Sequence, residues 1–421
     1  MSDQTTIQTT ARNATLADLA NLLRVQHDAK LDAIVPAQAI HSEDGVLAIE
    51  GVRPKMPDNV EALLAVADRP PLGERGRFAP TEIADGHLAE KLGIPTAYLR
   101  RMRAERLDLF DANVNGWLLG GIPHEWPWMP VGSEKADPRR FMARCFLDPN
   151  GGVGVCRAIL SDSYKRIDNL DVLTAALDGV RQSGQEVEVL DADLSEKRMT
   201  VRLVAPGVEA LAPTLLRGYR DPFQGDPARQ AAAEAHGWLR PDDRPTVFAG
   251  FVLSNSETGG GAFTIVPRLM VKVCRNGLVV TKDAVRNVHL GGKLDEGVVR
   301  WSDATQARNL ELVASQTRDA VTTFLDVDYM RLVLDGIEER AGAVLTEPAK
   351  QVEVIANRMK YPQGVLDGLL DHFIRGGQTT TGGVLQAVTS VAQTIADPDL
   401  AWQIESSALE AFEMACTVAR S

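Results

Sequence analysis

The sequence is poor in reactive groups and in long apolar runs. Four cysteines, Cys145, Cys156, Cys274 and Cys416, are scattered over 421 residues with no C-x-x-C pair. That argues against a disulfide framework and against a thiolate zinc site. Three of them fall in expected strands and suit small buried thiols. The seven histidines, His27, His41, His87, His124, His236, His289 and His372, include no pair at metal-ligand spacing and no H-E-x-x-H, so no metal is expected. Neither G-x-x-x-x-G-K-[ST] nor a strand-borne G-x-G-x-x-G occurs, which leaves no nucleotide-phosphate cradle and no expected cofactor. A G-x-S-x-G elbow is missing too. No run of about 18 apolar residues is present, and Met1 to Leu16 is polar and Thr-rich. A soluble, cytoplasmic protein is the expectation.

What remains is ordinary globular composition, 44% hydrophobic and 24% charged, over a length that suits two or three structural units. The net charge of −12 argues against a surface coated with nucleic acid throughout, and leaves room for a local basic groove. Such a groove is suggested between Val247 and Arg300. Val247 to Leu253 is an apolar run of strand length. Phe263, Ile265, Leu269, Val271 and Val273 then alternate with Thr264, Arg268, Lys272 and Cys274, the period-two pattern of a half-buried strand. Gly259-Gly260-Gly261 lies at the tip of the resulting hairpin, and Asn276-Gly277 marks a second reversal into Leu278-Val279-Val280. Pro267 predicts an edge strand or a bulge. From Thr264 to Arg300 there are seven cations and three carboxylates, a local excess of four positive charges in an acidic chain.

The rest of the chain divides around this meander. Residues 1–80 suggest a flexible start and a small α/β piece, with one amphipathic helix over Ala14 to Val25. Residues 81–140 are helical and then Trp/Pro-rich. Within them Gly93 ends a helix and Pro95 opens the next, a spacing shared by helix-turn-helix units and by plain helix pairs. A reading helix there would present Thr96, Tyr98, Arg100 and Arg101. Residues 141–326 form an α+β core: a hairpin from Met142–Leu147 and Val153–Leu160, a helix capped by Asn169, strands at Glu186–Leu190 and Arg198–Val204, an excursion at 205–245, the meander and a long helix from Ser302. Residues 327–421 are helical, the last helix spanning 399–419. From Ser302 to the end, 17 acidic residues face 9 basic ones. The expected class is α+β, a central antiparallel β-meander packed on helices with a mostly helical C-terminal region.

Three constellations carry chemistry. Arg157, Tyr164, Lys165, Arg166, Asp168 and Asn169 lie at a strand-to-helix corner, where they serve either turn and cap chemistry or a phosphate-binding corner with Tyr164 as a stacking face. Asn255, Ser256, Glu257 and Thr258 form a polar hairpin tip, which suits turn chemistry or ligand contact. Arg268, Lys272, Arg275 and Asn276, with His289 beyond, place cations along one strand face, as a solvated face or as a track for a polyanion.

At these segments, "RAILSDSYKRIDN", "SNSETGGGAF" and "RNVHLGG", together with "LGIPTAYLRRM" and the helix after "VRWSD", the sequence resembles the phage/plasmid-like proteins of domain-of-unknown-function family 932 over roughly residues 80–340. The resemblance implies a setting on mobile genetic elements and supplies no catalytic residues. In outline, a meander followed by a long helix is similar to single-strand annealing proteins of the RecT and Red-beta kind. On that analogy Arg157, Tyr164, Lys165, Arg166, Arg268, Lys272 and Arg275 line a groove for a single strand, in an ATP-independent annealing or recombination factor that forms homo-oligomers. Two alternatives stand beside it. One is a metal-dependent enzyme using Asp168, Glu257 and His289. The other is an antirestriction or virion-associated adaptor whose acidic helices bind a protein.

Overall fold

The computed structural model describes residues 7–50, 76–120, 136–162, 164, 166–218, 245–271, 277–280, 283–287 and 303–420. Among them, strand alternation and helical periodicity resolve into two sheets and twelve helices, an α+β fold with a helical C-terminal region. Elements are numbered along the chain. No described helix is long and apolar enough to cross a membrane.

The smaller sheet has six strands: β2 (Lys30–Pro36), β6 (Arg140–Phe146), β7 (Gly154–Ser161), β5 (Gly76–Pro80), β4 (Val46–Ile49) and β3 (Ile40–Glu43), in that spatial order. All neighbours are antiparallel except β5 and β7. One face carries Leu31, Ala33, Val35, Phe141, Ala143, Cys145, Cys156 and Ile159. It packs on helices α2 (Glu82–Leu92), α3 (Thr96–Glu105) and α4 (Leu107–Leu119). Cys145 and Cys156 stand opposite each other in this ladder. Burial pushes the Cys145 thiol well up, so it stays protonated and behaves as a small apolar group. Gly93 ends α2 with φ of 67°, as the helix-pair expectation requires.

The larger sheet has seven strands. Its path is β1 (Ala11–Ala14), β8 (Glu188–Leu194), β9 (Met199–Leu211), β10 (Thr246–Asn255), β11 (Phe263–Val271) and β12 (Gly277–Val279), with β13 (Val285–Asn287) also on β11. The expected hairpin is present, with Val247 opposite Val271 and Ser254 opposite Thr264. Phe263, Ile265, Leu269 and Val271 share the main core with helices α1 (Leu16–Asp28), α5 (Asn169–Ser183), α6 (Asp303–Phe324) and α7 (Val327–Ala341). The half-buried expectation fails on the other face. Val266, Arg268 and Met270 are buried as well, because α11 (Pro398–Ser406) lies nearby and supplies Trp402 and Glu405 to that side.

Other expectations shift for local reasons. Pro267 is not on an outer edge. It falls where β12 has ended and β13 has not begun, and its carbonyl accepts the N–H of Val280 at 2.8 Å. A residue's N and O point the same way in an antiparallel ladder, so the donor Pro267 lacks falls in that gap. Among the described residues of the first 80, β1 joins the large sheet and β2 to β5 the small one. Strand β9 runs to Leu211, past the point where the excursion was expected to begin. The last helical stretch breaks at Ser407 into α11 and α12 (Ala408–Val418). Between these and α7 lie α8 (Pro348–Arg358), α9 (Gln363–Gly376) and α10 (Thr381–Thr394).

Helices α5 and α6 meet at Gly179, where a Cβ would stand 2.3 Å from the Ala314 carbonyl and 2.8 Å from Thr317 Cβ. Two backbones cannot yield that much without separating. Gly179→Ala is expected to cost about 1–3 kcal/mol, measured as a drop in the urea midpoint at unchanged m-value; an unaltered midpoint would show that the helices are further apart.

Candidate functional site

The second face of the small sheet is polar at one end. Alternation along β2 points Lys30, Asp32 and Ile34 to it, and along β6 Met142 and Arg144. Asp32 and Arg144 are direct cross-strand partners. In β7 the ladder shifts register: Ala158 pairs Arg144 while Cys156 pairs Cys145, so Arg157 is an extra residue. Such a bulge re-aims a side chain, and here Arg157 joins Arg144 on the polar face. The bulge is tied down by Thr81, whose N–H donates to the Cys156 carbonyl at 2.9 Å and whose hydroxyl donates to the Arg157 carbonyl at 3.2 Å.

The hairpin tip of the large sheet docks onto this face. Arg144, fully buried, donates to Asp32 through a fork at 3.1 and 2.9 Å, to Asp168 at 2.5 Å and to the Glu257 carbonyl at 2.7 Å. Arg157 binds the Glu257 carboxylate and lies over the Phe146 ring at 4.0 Å. The other Glu257 oxygen accepts the N–H of Asn169 at 2.5 Å. The sequence therefore misassigns the helix cap. Asn169 is the first helical residue, and Asp168, at the cap position, makes no side-chain cap bond. Asp168 turns instead to Arg144 and Lys30, and the carboxylate from the distant hairpin satisfies the helix N-terminus.

The remaining site residues divide clearly. Asn255 is buried and donates to Ile167 and Asn169, a structural clasp. The Tyr164 hydroxyl donates to the Ser256 carbonyl at 3.4 Å, and its half-buried ring packs against Met142, Ala158 and Leu160. Arg166 is half-exposed and lies 3.6 Å from Asp32. Arg268 is the main correction: it is buried and paired with Glu405 at 3.0 Å. Glu405 also holds Arg202, which binds Asp191 and Asp193, and Asp193 holds Arg12. Arg268 thus belongs to an internal cluster of three cations and three carboxylates rather than to a surface track. Lys165, Lys272, Arg275, Asn276 and His289 lie outside the described residues. Sequence reasoning missed Lys30, Asp32 and Arg144, although a charge flanked by apolar residues in MARCF and KLDAIV marks a paired strand interior.

In the segment with helix-turn-helix spacing the arginines pair locally, with Arg101 still exposed. Arg100 bonds the Glu82 carbonyl and lies near its carboxylate, while Arg101 pairs with Glu105 and Arg103 with Asp85. Of the residues named for the enzyme reading, Asp168 and Glu257 are each held by arginine, and His289 lies outside the described residues.

Electrostatics at the corner reflect burial opposed by charge. Burial alone would raise the Asp168 carboxyl, but Arg144 and then Lys30 override it and hold it well below the usual carboxylate range. Arg144 stays protonated because Asp32, Asp168 and Glu257 outweigh its desolvation. A carboxyl depressed by folding stabilises the fold above its unfolded value, and that stabilisation is lost as pH falls through the folded one. Stability is therefore expected to fall below about pH 4, and to fall less steeply in Asp168→Asn when the two urea midpoints are followed against pH. Parallel profiles would contradict this role.

No family model, curated protein or solved structure matches this chain. At the corner, Lys30, Arg144, Arg157 and Arg166 face Asp32, Asp168 and Glu257, and Asp171 adds a fourth carboxylate beside Lys30 and Asp168. Beside them, between the sheets, lies a narrow cleft bordered by Arg157, Lys197 and Arg198.

Proposed function

We propose that this chain binds single-stranded nucleic acid through its phosphates at the junction between the two sheets, without nucleotide hydrolysis. It would act as a cytoplasmic annealing or recombination factor of mobile genetic elements, the setting that the family resemblance implies, with several copies assembled on one strand. The observation that carries this reading is the accessible cation set at the junction. The Arg268 cluster is internal, whereas Lys197 is exposed and borders the cleft with Arg198, and the half-exposed Arg166 stands beside Asp32 at the corner. Localised positive charge suits a polyanion even on a molecule of net charge −12.

Oligonucleotide titrations at two salt concentrations test it. Arg166→Ala and Lys197→Ala are each expected to weaken binding and to lower the salt slope by about one, while Arg268→Ala, once folded, leaves the slope unchanged. A slope that drops with Arg268→Ala and not with the other two would reject the junction as the contact. A protein that binds no strand at any salt would remove the reading.

A further inference from the structure

Arg157 has an edge that the described protein does not satisfy. Its Nη1 donates to Glu257 and its plane rests on Phe146, but Nε and Nη2 are buried and make no hydrogen bond. The nearest carboxylate, Asp32, stands 3.6 Å from Nη2 and is held by Arg144 through a fork. Buried N–H groups rarely stay without an acceptor. The side chain is only 8% exposed, and the bulge in β7 turns it into the wall of the cleft. Two other cations, Lys197 and Arg198, border the same space. So do two carboxylates, both turned to other partners. Glu257 holds Arg157 Nη1 and the Asn169 N–H, and Glu196 faces the backbone N–H groups of Glu82 and Ile83.

We propose that the cleft is a site for a terminal phosphate group, a phosphomonoester whose oxygens meet Nε and Nη2 of Arg157 with Lys197 at the mouth. The planar fork of a guanidinium edge matches two oxygens of one phosphate. Depth selects the terminal group. An internal phosphodiester carries chain on both sides and needs an open groove, whereas a phosphomonoester enters end-on to reach a side chain this buried. The site rests on reading the junction as an anion surface, and not on the ligand being a nucleic acid. The phosphate could be the end of a strand or a free phosphate, and the experiment separates these.

The test is calorimetry on the full chain with inorganic phosphate, with acetate, and with one oligonucleotide carrying either a 5′-phosphate or a 5′-hydroxyl. Phosphate is expected to saturate at one per chain and acetate not to compete. The phosphorylated strand is expected to bind about tenfold tighter than its hydroxyl twin. Arg157→Lys keeps the charge for Glu257 but lacks the fork, and is expected to abolish that preference. Should it fail to fold, Lys197→Ala at the exposed mouth is expected to reduce phosphate affinity about threefold. No saturable phosphate binding, equal competition by acetate, or a preference untouched in the folded variants would overturn the site. If both strands bind equally and phosphate does not, this inference falls while the single-strand reading stands. If phosphate binds and neither strand does, the outcome is reversed.

Discussion

Glu257→Ala is expected to destabilise the protein by about 3–5 kcal/mol, the range for removing one partner of a buried ion pair. Three consequences combine in that one side chain. Arg157 loses the carboxylate that neutralises it in a site where it is almost fully buried. The N–H of Asn169 at the start of α5 loses its acceptor. The tip between β10 and β11 keeps neutral anchors, among them the Glu257 carbonyl on Arg144 and the Ser256 carbonyl on Tyr164. Glu257→Gln retains an oxygen for the helix N-terminus and should lose less, so the two variants separate capping from charge. Urea unfolding at neutral pH reads both. A loss below about 1 kcal/mol for Glu257→Ala would place this contact in the class of exposed pairs.

Glu405→Ala is expected to cost a similar amount, about 3–5 kcal/mol, at the far face of the large sheet. Its two oxygens divide between Arg202 and Arg268 at 3.0 Å each. Arg202 keeps Asp191 and Asp193, but Arg268 would be left buried with no carboxylate in reach among the described residues. The cost therefore belongs chiefly to the orphaned Arg268. Replacing both groups, as Glu405→Leu with Arg268→Met, should return most of the stability, since apolar residues of similar volume often substitute for a buried pair at little cost. Denaturation of the single and double variants checks this. A double variant no more stable than Glu405→Ala would mean that the pair does more than neutralise charge.

Local periodicity carried the sequence a fair way. Phe263, Ile265, Leu269 and Val271 face the main core as their spacing predicts, Gly93 ends its helix with a left-handed turn, and the 148–152 reversal joins two paired strands. The errors share one physical origin: partners distant in the chain. Arg268 resembles a cation on a solvated strand face until Glu405, from a helix 137 residues later, is laid over it. Asn169 resembles its own cap because Glu257, 88 residues away, cannot be seen from the corner. Arg157 belongs to the polar face only because a bulge inserts it, and alternation cannot register an extra residue. The two polar segments most suggestive of ligand binding do meet in space. They meet largely to hold each other, and what they leave open is an edge of one guanidinium beside a cleft.

That meeting is tested most directly by a double-mutant cycle between Arg157 and Glu257, with stability measured for the parent, Arg157→Gln, Glu257→Gln and the double variant. If the hairpin tip is locked into the strand-to-helix corner as described, the two changes are expected to couple by about 2 kcal/mol or more, as residues in contact do. Changes that add to within about 0.5 kcal/mol, the behaviour of distant sites, would mean that the two segments do not form one junction.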